Sequence, residues 1–211
     1  NLDLGDFASA EKEFRRAREA GWKEDEVQIG LARALIPVRR FQDLLDVIKI
    51  EESYPALARA HLHGLRAAAH AGMGDVDRAR EELAAGVAID ANAIQLSKSI
   101  IQRKLASGDQ DAAARTLSQA LSNHPETQEL LLLGAVVAIQ SDDPGGALEV
   151  CRKVISLDPE NLITVYGRQA RLQLTRLAIQ GKDYTEAQAV LAPLLKMNPD
   201  DPTVNYVGGM L

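Results

Sequence analysis

The chain has 211 residues, a net charge of −6 and a hydrophobic fraction of 46% in which aromatic residues make up only 4% of the chain. Alanine and leucine therefore carry the packing, which suits closely approaching helices rather than sheets, and the interspersed cations and carboxylates argue against a nucleic-acid phosphate backbone as partner. One cysteine, Cys151, excludes an internal disulfide framework, and the most apolar run, Leu130–Ile139, holds Gly134 and is too short to span a membrane.

Six segments repeat one phrase in which a residue, small in five of them, precedes an apolar one by four places. The pairs are Ala10 and Phe14, Leu44 and Ile48, Ala79 and Leu83, Ala113 and Leu117, Ala147 and Cys151, and Ala187 and Leu191, at intervals of 34, 35, 34, 34 and 40 residues. A period near 34 predicts a stacked array of helix pairs, each a helix A, a tight turn and a helix B. The apolar pairs place helix B at roughly 6–20, 40–51, 75–89, 109–122, 144–157 and 183–197, and the A helices near 25–38, 57–73, 93–107, 127–141 and 161–180. Asp6, Asp75, Asp109, Asp143 and Asp183 stand where an N-cap accepts a bond from an orphan backbone N–H, and their charge meets the positive end of the helix dipole. Gly5, Gly74 and Gly108, with Gly181 nearby, suit the sharp turn out of helix A, whereas the second repeat has Arg39–Arg40 in that place. Pro125, Pro159 and Pro199, each after a polar residue, stop helix B.

Residues 1–211 thus read as one array of about six units, with helix B starting near 6, 40, 75, 109, 144 and 183 and truncated A helices at 1–4 and 202–211. The chain opens on Asn1 without an initiator Met and ends inside a helix A phrase, so it reads as a fragment in which missing targeting signals carry no information.

The phrases LGDFASAEKEFRRA (Leu4–Ala17), GMGDVDRAREELAAGVAID (Gly72–Asp90), GGALEVCRKVISLDPEN (Gly145–Asn161) and GKDYTEAQAVLAPLLKMNPDD (Gly181–Asp201) resemble tetratricopeptide (TPR) repeats. The resemblance implies an all-α fold, a right-handed superhelical solenoid of antiparallel helix pairs whose A helices line a concave groove. The A helices depart from the family pattern, because Gln28, His63, Ser97, Leu131 and Arg171 stand where an aromatic residue is usual. A narrower resemblance is carried by RALIPVRRFQDLLDVI (Arg33–Ile48), YPALARAHLHGLRAAAHAGMGDVDRAREEL (Tyr54–Leu83) and NPDDPTVNYVGGML (Asn198–Leu211). These are similar to the large TPR lipoproteins of bacterial exosortase (PEP-CTERM) exopolysaccharide systems, which implies a periplasmic or outer-membrane-anchored protein; without that resemblance a cytoplasmic location is expected.

Chemistry-bearing residues do not assemble into a recognisable catalytic motif. His61, His63 and His70 share one A helix, but His63 and His70 lie about 10 Å apart along its axis, and none of the three has the i,i+4 spacing of a helical zinc pair. Asp75–Asp77 and Asp109–Asp111 lack the glycine and terminal glutamate of a calcium loop, and the first of each pair is already a cap. Cys151 occupies a buried slot of its repeat, and the Lys12–Arg18 run is broken by Glu13 and flanked by Glu11 and Glu19, as on a solvated helix face. No metal, no cofactor and no enzymatic activity are expected, with protein or peptide rather than nucleic acid as partner.

The resemblance directs attention to the A helices. Carried over repeat by repeat, the groove-facing residues are Arg33, His61, Gln95, Lys98, Gln102, Leu132, Val136, Gln140, Gln169, Gln173 and Arg176. Lys98 and Gln102 only partly match the carboxylate clamp of TPR domains that grip acidic C-terminal peptides. Amide side chains suit an extended backbone, and the apolar stretch through Leu132, Val136 and Ile139 suits one or two side chains. The expected function is a non-catalytic scaffold in a bacterial envelope, exopolysaccharide-export or protein-sorting system; the alternatives are a cytoplasmic adaptor or assembly chaperone and the regulatory arm of a larger enzyme such as a glycosyltransferase. The interval of 40 residues predicts a helix A at 161–180 lengthened by nearly two turns, about 9 Å.

Overall fold

The structure, a computed structural model, describes residues 2, 5–158 and 163–211. Among these, all regular structure is helical: α1 (Phe7–Glu19), α2 (Glu24–Leu35), α3 (Phe41–Val47), α4 (Ala56–Gly72), α5 (Val76–Ile89), α6 (Ile94–Ala106), α7 (Gln110–Asn123), α8 (Gln128–Gln140), α9 (Pro144–Ser156), α10 (Val165–Gln180), α11 (Tyr184–Met197) and α12 (Pro202–Gly208). Odd-numbered helices are the B helices and even-numbered ones the A helices.

The five aspartates cap as the sequence demands. Asp6 accepts from the Ser9 N–H at 3.1 Å, Asp75 from Arg78 at 3.2 Å, Asp109 from Ala112 at 3.1 Å, Asp143 from Gly146 at 2.8 Å and Asp183 from Glu186 at 3.0 Å. In the second repeat Arg40 takes the cap position, where its side chain accepts no backbone N–H; instead its Nε donates to Asp43 of α3 at 2.5 Å and its Nη1 to Glu11 at 2.6 Å. The turn entering each B helix passes through the left-handed region. Gly5, Gly74 and Gly108 supply it at φ 75°, 84° and 76°, but Arg39, Asp142 and Lys182 adopt it at 59°, 57° and 62° in the other three repeats. Gly181, expected to make that turn, is right-handed at φ −77°, and the strained position is the next residue, Lys182.

Two further boundaries differ from expectation. Helix α3 ends at Val47, not near residue 51, and Ile48 is extended. The buried Gln28 side chain of α2 accepts the Lys49 N–H at 2.7 Å, withdrawing that donor from helix propagation. Helix α10 has 16 residues, one fewer than the 17 of α4, so the long interval does not produce an A helix lengthened by two turns. The remaining extra residues precede Val165, and the expected stop at Pro159 and the expected helix start at 161 lie outside the described residues.

The chain divides into two compact units, Asn1–Asn123 and His124–Leu211. In the first, α1 packs on α2, α3 lies against α2 and α4, α4 meets α2, α5 and α6, and α6 holds α7. One core gathers Leu35, Leu44, Ile48, Leu62 and Leu65; a second gathers Ala60, Ala67, Leu83 and Leu96. The α4–α6 crossing is backbone on backbone: a Cβ on Gly64 would lie 2.5 Å from the Leu96 nitrogen, and Ser99 Oγ donates to the Gly64 carbonyl at 2.8 Å. In the second unit α8, α10 and α12 pack in sequence, with α9 against α8 and α10, and α11 against α10 and α12. Leu172, Leu191, Leu194, Val204 and Val207 form a core at its end. Within each unit the A helices pack on one another, and the B helices pack on A helices. The A helices thus present a continuous row in each unit, and whatever they leave uncovered is the surface available to a partner.

Candidate partner-binding face

Three of the five A-helix positions that lack an aromatic residue, Gln28, His63 and Arg171, tie neighbouring elements together. Gln28, besides capturing Lys49, donates through Nε2 to Glu24 at 3.1 Å and to the Tyr54 hydroxyl at 3.3 Å. His63 Nδ1 lies 2.7 Å from Glu82 Oε2, and Arg66 Nε donates to Glu82 Oε1 at 2.6 Å, so two α4 side chains grip one carboxylate on α5. Burial pushes the Glu82 carboxyl up, but the His63 and Arg66 hydrogen bonds and charges outweigh it and hold it below its ordinary value. Ser97 and Leu131 are buried. Arg171 pairs with Asp158, the two side chains being only 12% and 5% exposed. Asp158 also accepts from Thr164 Oγ1 at 2.7 Å and Gln128 Nε2 at 3.2 Å, so one carboxylate joins α8 to the N-terminus of α10. It lies so close over Gly167 that any Cβ there would meet it. Glu82 and Asp158, the carboxylates that meet His63 and Arg171, are themselves only 14% and 5% exposed, so these charges are buried in pairs.

These ties occupy the sides of the A helices that face the B helices and the loops. In the first unit, Arg33, His61 and Lys98 are half-buried and Gln102 is exposed. Gln95 is only 8% exposed, because its backbone lies against Gly64 at the α4–α6 crossing, and it presents little surface. Its Oε1 accepts from Lys98 Nζ at 3.4 Å. In the second unit, Leu132 is half-buried and Val136 and Gln140 are exposed on α8; Gln169 is exposed and Gln173 and Arg176 half-buried on α10. The eleven positions are therefore divided between the units, with five in the first and six in the second.

Two exposed apolar residues were not anticipated. Trp22 is 65% exposed and Leu57 is 49% exposed. Each stands six residues before the aromatic-replacing position of its own repeat, Gln28 and His63 respectively, with Trp22 just before α2 and Leu57 in the first turn of α4. The spacing was present in the sequence; only the helix register identifies it. Tyr206 on α12 is likewise exposed.

Among the described residues no group of three or more metal-ligating side chains comes together. Cys151 is fully buried, and burial pushes its thiol up to about 11, so it is not a thiolate near neutral pH. No helix among the described residues is long and apolar enough to cross a membrane.

Comparison with known proteins follows this geometry. Tetratricopeptide repeat profiles match residues 100–161 and 138–207, together just over half of the 211 residues. The chain carries tetratricopeptide repeats. The TPR fold extends beyond the matched segments. A structure of MamA, residue 41 to the end, from Desulfovibrio magneticus RS-1 superposes with a TM-score of 0.54 at 16% identity, covering 94% of this chain and 99% of that one. A TPR2AB-domain:pHSP90 complex of yeast Sti1 is similar at a TM-score of 0.43 and 13% identity, covering 98% and 90% of the two chains. No curated protein matches the chain.

Proposed function

We propose that this TPR chain is a non-catalytic scaffold that docks a peptide or partner protein on the exposed face of its A helices. One observation carries the reading: the polar A-helix residues divide into two sets. Gln28, His63 and Arg171 are consumed in ties within the fold, while Gln102, Gln140 and Gln169 stand in solvent on the A helices with no part in those ties. Amide side chains match the donor and acceptor of an extended peptide group, and on α8 exposed Val136 offers an apolar contact one turn from Gln140. The affinity of such a face comes from several modest contacts.

In this reading the scaffold works in a bacterial envelope assembly for exopolysaccharide export or protein sorting, on the periplasmic side; the resemblance of its phrases to the TPR lipoproteins of bacterial exosortase systems supports it. The test is affinity capture with Lys98, Gln102 and Arg176 changed together to Ala. Partner recovery falls severalfold if the face binds the partner; undiminished recovery overturns the assignment. Fractionation of the native organism then reads the compartment directly.

A further inference from the structure

In the first unit the turns from helix A into helix B carry a second surface, at the ends of the helices. Two positions of the turn correspond from repeat to repeat: the residue directly before the left-handed one, and the first residue of helix B. They hold Val38 and Phe41 in the second repeat, and Met73 and Val76 in the third. In the fourth they hold Ser107 and Gln110. Val38, Met73 and Val76 are 48%, 44% and 56% exposed. Capping does not use them, because the cap of α5 is made by Asp75 on the Arg78 N–H. Successive turns touch, since the Phe41 ring lies so close over Gly72 that any Cβ there would meet it. The Arg39 guanidinium covers the same ring, 5.5 Å from its centroid. The second and third turns thus form one apolar ridge that stops at the polar fourth turn. Its two ends carry opposite charge. At one end Arg40 is held by Asp43 and Glu11, but Arg39 makes no ion pair among the described residues. At the other end Asp77 and Asp111 take the second position of α5 and α7, both exposed. Asp77 has a surface pair with Arg80 at 3.1 Å, and Asp111 makes no ion pair among the described residues.

We infer that this ridge is the contact between two copies of the chain, related by a two-fold axis, with Met73 and Val76 at its centre and Arg39 of each copy against Asp111 of the other. A surface that is apolar in the middle, basic at one end and acidic at the other matches itself after half a turn. An anionic bilayer or a nucleic acid presents one sign of charge, and the acidic end of the ridge repels it. The ridge is small, so the dimer is weak and forms with rising concentration. Because the contact lies at helix ends, the A-helix faces of both copies stay open. The dimer therefore offers two scaffold faces at once, and a partner with two matching segments gains avidity from it.

Sedimentation velocity on the whole 211-residue chain, from about 1 to about 300 µM, reads the association directly. The sedimentation coefficient rises from that of a monomer to that of a dimer and no further. Val76→Asp, at an exposed position, weakens the dimer about tenfold or more and leaves the thermal midpoint unchanged. Arg39→Glu and Asp111→Lys each weaken it severalfold alone, because each sets like charges against one another at both ends of the contact. Mixed in equal amounts, these two variants associate as tightly as the unaltered chain, because each copy then supplies the charge the other needs. A monomer at every concentration overturns the inference. So does a dimer indifferent to Val76→Asp, which assigns the contact to another face. Weakening by the single charge variants without rescue on mixing overturns the two-fold pairing, and species larger than a dimer overturn the closed contact. The variant with Lys98, Gln102 and Arg176 changed to Ala dimerises as the unaltered chain does, so failure of the scaffold reading and failure of the dimer are read apart.

Discussion

Arg152 on α9 forks onto Glu186 on α11, its Nε and Nη2 each donating to one carboxylate oxygen at 2.8 Å across 34 residues. In the first unit Arg40 makes the same kind of bridge to Glu11, joining α3 to α1 at 2.6 Å. These ties link B helices that do not otherwise pack on one another, so each unit is laced on its B side by side-chain charges and on its A side by direct helix contact. The two kinds of lacing differ greatly in worth, and the difference is measurable.

Arg152 is about half exposed, so water and salt compete with its bridge. Glu186→Gln is expected to cost less than about 1 kcal/mol in urea unfolding. Arg171→Ala strands the buried Asp158 carboxylate and is expected to cost roughly 3–5 kcal/mol. Equal losses from the two substitutions would contradict the burial-based ranking.

Gly64→Ala tests the α4–α6 crossing. The new methyl meets backbone atoms of Gln95 and Leu96, which cannot swing aside as a side chain can. Separation of the helices also stretches the Ser99 bond to the Gly64 carbonyl. The expected destabilisation is about 1–3 kcal/mol, read as a lowered denaturant midpoint.

The left-handed turns make a prediction of opposite sign. Lys182→Gly relieves a side chain held at φ 62° and is expected to stabilise by roughly 1 kcal/mol. Gly74→Ala imposes the same strain at φ 84° and is expected to destabilise by a similar amount, roughly 1 kcal/mol. Both are read from thermal unfolding.

Acid should weaken the first unit partly through Glu82. Its carboxyl is held below the ordinary 4.5 in the folded chain, so near and below that pH the unfolded chain binds more protons than the folded one. The contribution is fully present above pH 4.5 and is lost as the pH falls through the folded value. Urea midpoints should therefore drop between neutral pH and pH 3–4, on the order of the carboxylate range, and Glu82→Gln should be less stable at neutral pH but show a flatter profile. An unchanged slope in the variant would remove Glu82 from this role.

Helix B was legible because its signals are local: a capping aspartate, an apolar pair and a proline lie within one stretch of chain, and observed starts such as Val76 and Tyr184 fall within a residue or so of the predicted ones. What escaped the sequence was set by residues distant along the chain. The early end of α3 depends on Gln28, and the burial of Gln95 depends on a glycine on another helix. Likewise, the pattern of six repeats gives no sign that Arg39, Asp142 and Lys182 take a conformation that glycine takes in the others. The exposed face itself was only partly legible: periodicity selects a side of helix A, but whether a polar residue there is consumed by the fold or left to solvent depends on its neighbours in space, as Gln169 and Arg171 show two residues apart.

Gln28 sets the length of a helix to which it does not belong. Because its carbonyl oxygen holds the Lys49 N–H, the segment from Ile48 to Pro55 runs as a long connection before α4, and Tyr54 is drawn back to the same amide. The second repeat keeps its period of 35 residues only because a short α3 and a long connection compensate one another. A solenoid can therefore preserve its rhythm in sequence while redistributing residues between rod and loop, and a single buried amide suffices to choose the division.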